Sequence, residues 1–168
     1  MKKGLRILVI TLTVLSSIGL VFIVFMMNQK YYTDKFSSEE LYNTVADSFF
    51  TEGEIHIFEK NDVILEYADE DLPYLIDCIV VKAKNAKNIN EIGIFKVKDG
   101  NAKEMNDLVD KYLTNLQESY RAMDYFPEEI EKIDLARTKI FGNYVVYSFL
   151  DEKDTANFYS SLEKVLRE

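Results

Sequence analysis

Hydrophobic and polar positions follow three rhythms along this chain, and each predicts a different kind of element. From Ile7 to Met27 there is no alternation: twenty-one consecutive residues carry no charge, with Lys2, Lys3 and Arg6 before them and Asn28, Gln29 and Lys30 after. At about 1.5 Å of rise per residue, a helix of that length is roughly 30 Å long, the thickness of a bilayer's hydrocarbon core. A helical period follows at Leu41, Val45 and Phe49, behind Ser37 and Glu40, which stand at capping-box spacing. Gly53 ends that helix, Ile55-His56-Ile57-Phe58 reads as a short extended piece, and Asp62 to Tyr67 reads as one helical turn.

The rhythm then changes to β-branched runs, from Tyr74 to Lys84 and from Ile89 to Lys98, with the polar loop Asn85-Ala86-Lys87-Asn88 between them. This pattern predicts a hairpin. Asp99-Gly100-Asn101 is a turn and helix start. Met105, Leu108, Val109, Tyr112, Leu116, Tyr120 and Met123 then recur at spacings of three and four, a core-facing stripe on the longest soluble helix. Pro127 followed by Glu128 and Glu129 has the form of a first helical turn. Lys139-Ile140-Phe141 and Tyr144 to Phe149 flank Gly142-Asn143, a tight-turn pair, and predict a second hairpin. Asp151 to Asp154 opens a terminal helix whose apolar face is Phe158, Tyr159, Leu162, Val165 and Leu166. The order α, ββα, ββα predicts an α+β domain of two layers, an antiparallel four-stranded sheet with its helices on one face.

The amino-terminal apolar run is read as an uncleaved transmembrane signal anchor. A cleaved signal has an apolar region of roughly 7 to 15 residues and small residues at the cut, whereas this run is longer and ends in the bulky Val24-Phe25-Met26-Met27. Late cleavage is the competing reading. Lipidation would need a Cys just after the run, and the single Cys is Cys78. Lys and Arg are denser on the amino side, which places residues 1–6 in the cytoplasm, the anchor at 7–27, a tether at 28–36 and an extracytoplasmic α+β domain at 37–168. Tyr31 and Tyr32 stand either in an interfacial aromatic belt or at the start of the globular part.

About 140 residues outside the anchor suffice for one domain with a core of its own. They carry all 29 acidic residues and, once Lys2, Lys3 and Arg6 are set aside, 17 Lys and Arg, a net charge of about −12. Phosphate backbones repel such a domain, so a nucleic-acid partner is not expected. One thiol closes no intramolecular disulfide. Cys78, in the β-rich run Leu75 to Val81, reads as a small buried hydrophobe, with an exposed, dimer-forming thiol as the alternative.

Asn90 to Asp99, the long helix after it and Gly142-Asn143-Tyr144-Val145-Val146 resemble an uncharacterised family, a domain of unknown function, of small membrane-anchored or lipoprotein envelope proteins of Gram-positive bacteria. The resemblance runs from about Leu41 to Val165. It implies an extracytoplasmic location and supplies no catalytic residue to carry over. The chain departs from the lipoprotein members of that family in lacking a lipid-bearing Cys.

Candidate chemistry is sparse. The lone histidine, His56, lies between Ile55 and Ile57 and is expected to face solvent, with no Ser or Cys motif for it to activate. One His and one Cys are too few for zinc. Asp69-Glu70-Asp71 runs into Leu72-Pro73 without the central glycine of a calcium loop, and reads as a solvated turn. The six glycines are scattered, so no phosphate-cradling loop is present. With so many carboxylates, no Asp or Glu pair stands out for hydrolysis. Lys82, Lys84 and Lys87 form a basic run read as a solvated hairpin tip, with contact to wall polymers or headgroups as the alternative. No catalytic, cofactor or metal residue is therefore assigned. The expectation is a non-enzymatic anchored domain that binds an envelope protein or a wall component. A small-molecule-binding sensory module comes second, and a carboxylate-dependent hydrolase third.

Overall fold

The structure, a computed structural model, describes residues 32–50, 55–67, 71–85, 87–123 and 127–167. The apolar segment 7–27 lies outside these, and among the described residues no helix is long and apolar enough to cross a membrane. The elements in chain order are α1 (Ser38–Val45), a 3₁₀ turn (Asp47–Phe49), β1 (Ile55–Phe58), α2 (Lys60–Tyr67), β2 (Leu75–Ala83), β3 (Glu91–Val97), α3 (Ala102–Ala122), α4 (Pro127–Leu135), β4 (Lys139–Phe141), β5 (Tyr144–Phe149) and α5 (Glu152–Leu166). Local chemistry accounts for the helix starts. Ser37 accepts from the Glu40 amide at 3.1 Å while the Glu40 carboxylate accepts from the Ser37 amide at 2.7 Å, closing the capping box. Asp151 caps α5 by accepting from the Asp154 amide. Gly142, in the β4–β5 turn, has φ of +59°, a conformation that favours glycine.

The domain is α+β, but its sheet has five strands rather than four. The order is β1-β2-β3-β5-β4 and every neighbouring pair is antiparallel. The additional strand is β1, the four-residue piece that the sequence marks only as extended, paired with Val80 to Ala83 of β2. The helices also cover both faces, making three layers in place of two. Val63 of α2, Met105, Val109 and Leu113 of α3 and Ile133 of α4 pack with Phe95, Val97, Val145 and Phe149 on one face. Leu41 and Val45 of α1 and Phe158, Leu162 and Leu166 of α5 pack with Ile92, Ile94, Tyr144 and Val146 on the other. The reason lies in β3 and β5, whose residues are buried almost without exception. Such strands read as continuous apolar runs and need cover on both sides.

Two further expectations change. Met123 ends the predicted stripe of the long helix but lies beyond α3 and is 69 % exposed, while Leu113, absent from that stripe, is buried. Residues 32–36, assigned by the sequence to a tether, are packed on the fold. Tyr32 meets Phe141 edge to face at 5.5 Å, the Thr33 amide donates to the Leu166 carbonyl at 2.8 Å, and the Phe36 carbonyl accepts from Lys96 Nζ and the Tyr144 hydroxyl.

Gly93 sits opposite Tyr147 in the β3–β5 register, and the tyrosine ring lies across it. A Cβ at Gly93 would come within 3.0 Å of three ring carbons. In an ordinary strand, Gly→Ala gains about 0.5–1 kcal/mol of backbone entropy. Here the clash outweighs that gain, because overpacking a dense core costs about 1–3 kcal/mol and this ring is fully buried. Gly93→Ala should therefore lower stability by about 2 kcal/mol, read from urea-unfolding midpoints followed by circular dichroism.

Candidate functional site

A catalytic or binding site must be built from polar groups that the fold does not already use, so the buried ones come first. Glu91 opens β3 and is buried against the inner face of α3. Its carboxylate accepts from the Tyr147 hydroxyl and, at 3.2 Å, from the Tyr112 hydroxyl, and lies 3.6 Å from Lys82 Nζ on the neighbouring strand. Lys82 Nζ donates to Tyr112 at 3.0 Å and stands 5.1 Å from the Phe58 ring centre and 5.5 Å from that of Tyr112. Lys82 is thus half-buried on β2, inside a charge-assisted network. It does not belong to the solvated tip expected of it, unlike the exposed Lys84 and Lys87. Nearby, Glu129 of α4 accepts from the Ile89 amide at 2.9 Å and pairs with Lys132, which also donates to Asn90. Both buried glutamates clasp the start of β3. Sequence reading missed this role. A carboxylate at the head of an otherwise apolar strand is the signal that would have found it, since a buried charge requires partners.

The sequence-derived candidates are scattered. His56 is exposed on edge strand β1, its ring 6.3 Å from Phe58. Cys78 is buried on β2, and burial, assisted by the Asp77 carboxylate, pushes its thiol up from 9.0 to about 12. It stays protonated and poorly nucleophilic near neutrality. Asp69 and Glu70 lie outside the described residues; Asp71 is exposed. Among the described residues, no three His, Cys, Asp or Glu side chains are grouped to hold a metal ion.

Among the described residues, a cleft of about 560 Å³ lies between α1, the β1–α2 corner and the first half of β2. Its origin is a mismatch of lengths. β1 covers only Val80 to Ala83, so Leu75 to Ile79 pairs with β3 alone and its other side borders the cleft. Lys60, at the start of α2, donates to the Leu75 and Ile76 carbonyls, and the Ser38 amide of α1 donates to Asp77 Oδ1 at 2.8 Å. A bulge between Leu75 and Asp77 leaves Ile76 46 % exposed, and Ile57 on β1, which lines the cleft, is 53 % exposed. Glu39, Glu59, Asp62 and Asp77 line the walls, with Lys60 as the one ammonium among the described lining residues. This arrangement favours a cationic ligand with an extended backbone and an apolar side chain.

Comparison with known proteins adds one finding. Residues 75–150 match the model of a domain of unknown function (DUF4358). The DUF4358 match runs from the first residue of β2 to just past β5. It takes in four of the five strands with α3 and α4, and leaves out α1, β1, α2 and α5. It is narrower than the resemblance read from the sequence, and it carries no activity. No curated protein and no solved structure matches the chain.

Three buried hydroxyl and thiol groups among the described residues tie stability to alkaline pH. Burial raises Cys78 from 9.0, and Tyr144 and Tyr159 from 10.0, each to about 12. A raised acid in the folded state means that the unfolded chain ionises first. The stability linked to these groups is therefore whole below about pH 9 and is lost as pH climbs to about 12. Circular dichroism across that range should show stability falling, and Tyr144→Phe and Tyr159→Phe together should flatten the fall.

Proposed function

We propose that this chain is a non-enzymatic, single-pass membrane protein whose α+β domain lies outside the cytoplasm and binds an extended, positively charged segment of another envelope protein in the α1–β2 cleft. The anchor rests on the uncharged run Ile7 to Met27 and the basic residues before it. The binding role rests on one observation, the cleft itself. It combines a strand segment paired on one side only, the exposed Ile57 and four carboxylates, the combination that suits addition of a peptide strand with basic side chains. The non-enzymatic reading draws on the way Glu91, Glu129 and Cys78 are engaged, since each is buried in the packing of the fold.

A second reading is kept because of the cleft's volume, about 560 Å³, which falls within the roughly 300–1,000 Å³ of small-molecule sites. It would make the domain a sensor of a small organic cation. A photo-crosslinking amino acid at position 57 of the full-length chain in living cells separates the two. The proposal expects one discrete protein adduct from position 57, none from position 118 on the exposed side of α3, and loss of the adduct when Glu39→Lys and Asp62→Lys are added. Identical adducts from both positions, or none from position 57, would contradict it.

A further inference from the structure

We propose that Lys60 is the gate of the α1–β2 cleft: its ammonium holds the edge of β2 in the free domain and gives way to the strand that binds there. This deepens the reading of the cleft as the site of an extended cationic segment, and rests on it.

Strand β1 ends at Phe58, opposite Val80, and α2 begins at Lys60. The chain thus leaves the sheet where Leu75 to Ile79 of β2 have only β3 as a partner strand. A side chain takes part of the place a strand would fill. Lys60 Nζ donates to the Leu75 carbonyl and, at 3.4 Å, to the Ile76 carbonyl. In a regular strand, successive carbonyls point to opposite edges. The bulge between Leu75 and Asp77 breaks that alternation and lets one ammonium reach both.

Helix chemistry does not explain a lysine at this position. As the first residue of α2 it stands at the positive end of the helix dipole, where a cation is disfavoured. The hydrogen bonds to β2 offset that cost, and the side chain is half-buried in making them. The ammonium shields the edge from indiscriminate pairing, a use to which edge lysines are suited. Displacing it takes two things together. Main-chain amides must take over the Leu75 and Ile76 carbonyls, and positive charge must face Glu39, Glu59, Asp62 and Asp77 once the ammonium has moved. An extended segment with basic side chains brings both, whereas a small organic cation brings charge alone and leaves the gate shut. Five strand residues span about 17 Å, so a short peptide suffices to occupy the edge.

Two measurements test this on the full-length chain in lipid nanodiscs, with acetyl-Lys-Val-Lys-Val-Lys-Val-amide as the probe. The first is acetylation of each lysine, read by mass spectrometry. In the free chain Lys60 should react about tenfold more slowly than the exposed Lys87 and Lys103, and saturating peptide should bring it within about twofold of them. The second is titration calorimetry. Lys60→Met keeps most of the stem but has no donor, and should bind the peptide about tenfold more tightly, the equivalent of one charge-assisted hydrogen bond. Most of that gain should persist in about 0.5 M NaCl, where a change of surface charge alone is screened. Lys60→Arg, which retains charge and donors, should bind as the native chain does, and unchanged circular-dichroism melts confirm that both variants fold. Free Lys60 as reactive as Lys87, a reactivity unaltered at saturation, or equal or weaker binding by Lys60→Met would each overturn the gate and leave the cleft reading standing. No binding by either the native chain or Lys60→Met would contradict the cleft reading and the gate together.

Discussion

The pairing of β3 with β5 leaves no face of either strand for water, and the remaining architecture answers to that constraint. Ile92 and Ile94 point into one core and Phe95 and Val97 into the other, with the partners on β5 divided in the same way. A sheet of this kind is unstable with helices on one side only, because the uncovered face would expose a continuous apolar surface. Hence α1 and α5, which bracket the chain's other elements in sequence, return to close the second face. Within this sandwich Tyr147 lies flat over Gly93 and extends its hydroxyl to Glu91. The glycine, the aromatic ring and the buried carboxylate thus form one unit, in which the missing Cβ permits the ring to lie down and the ring in turn satisfies the charge.

Elements with a strong period were legible in the sequence. The capping box at Ser37 and Glu40, the two hairpins, the long helix and the terminal helix were placed by local chemistry that tertiary structure had no reason to override. Layer number was harder to read, since its signal is an absence of alternation. Tyr144 to Phe149 is apolar at nearly every position, which marks burial on both faces, and ranking it simply as a strand discarded that information. Strand β1 was read as an extended piece but not counted in the sheet, because four residues at a sheet edge carry little pattern of their own. Residues 32–36 looked like a tether because their contacts, with Phe141, Leu166, Lys96 and Tyr144, lie sixty or more positions away along the chain.

The candidate sites were less legible still. The cleft joins three separated segments, and its shape comes from β1 being shorter than β2, a property of pairing that composition does not record. Lys82 illustrates the converse: grouped by sequence with Lys84 and Lys87, it is drawn by strand register to Glu91 and into the structural network. The DUF4358 match covers the central strands and the α3–α4 layer, while α1 and the β1–α2 corner, which supply most of the cleft's lining, lie outside it. The matched part is thus mostly scaffold, and most of the surface proposed for recognition lies outside it.

Amide hydrogen exchange read by mass spectrometry on the full-length chain tests the central structural claim most directly. If β3 and β5 form the doubly covered centre, their amides should exchange only through global unfolding, while β1 and α2, at the cleft edge, exchange by local opening at lower free energy. Exchange of β3 and β5 as fast as that of β1 would contradict a sheet sealed on both faces.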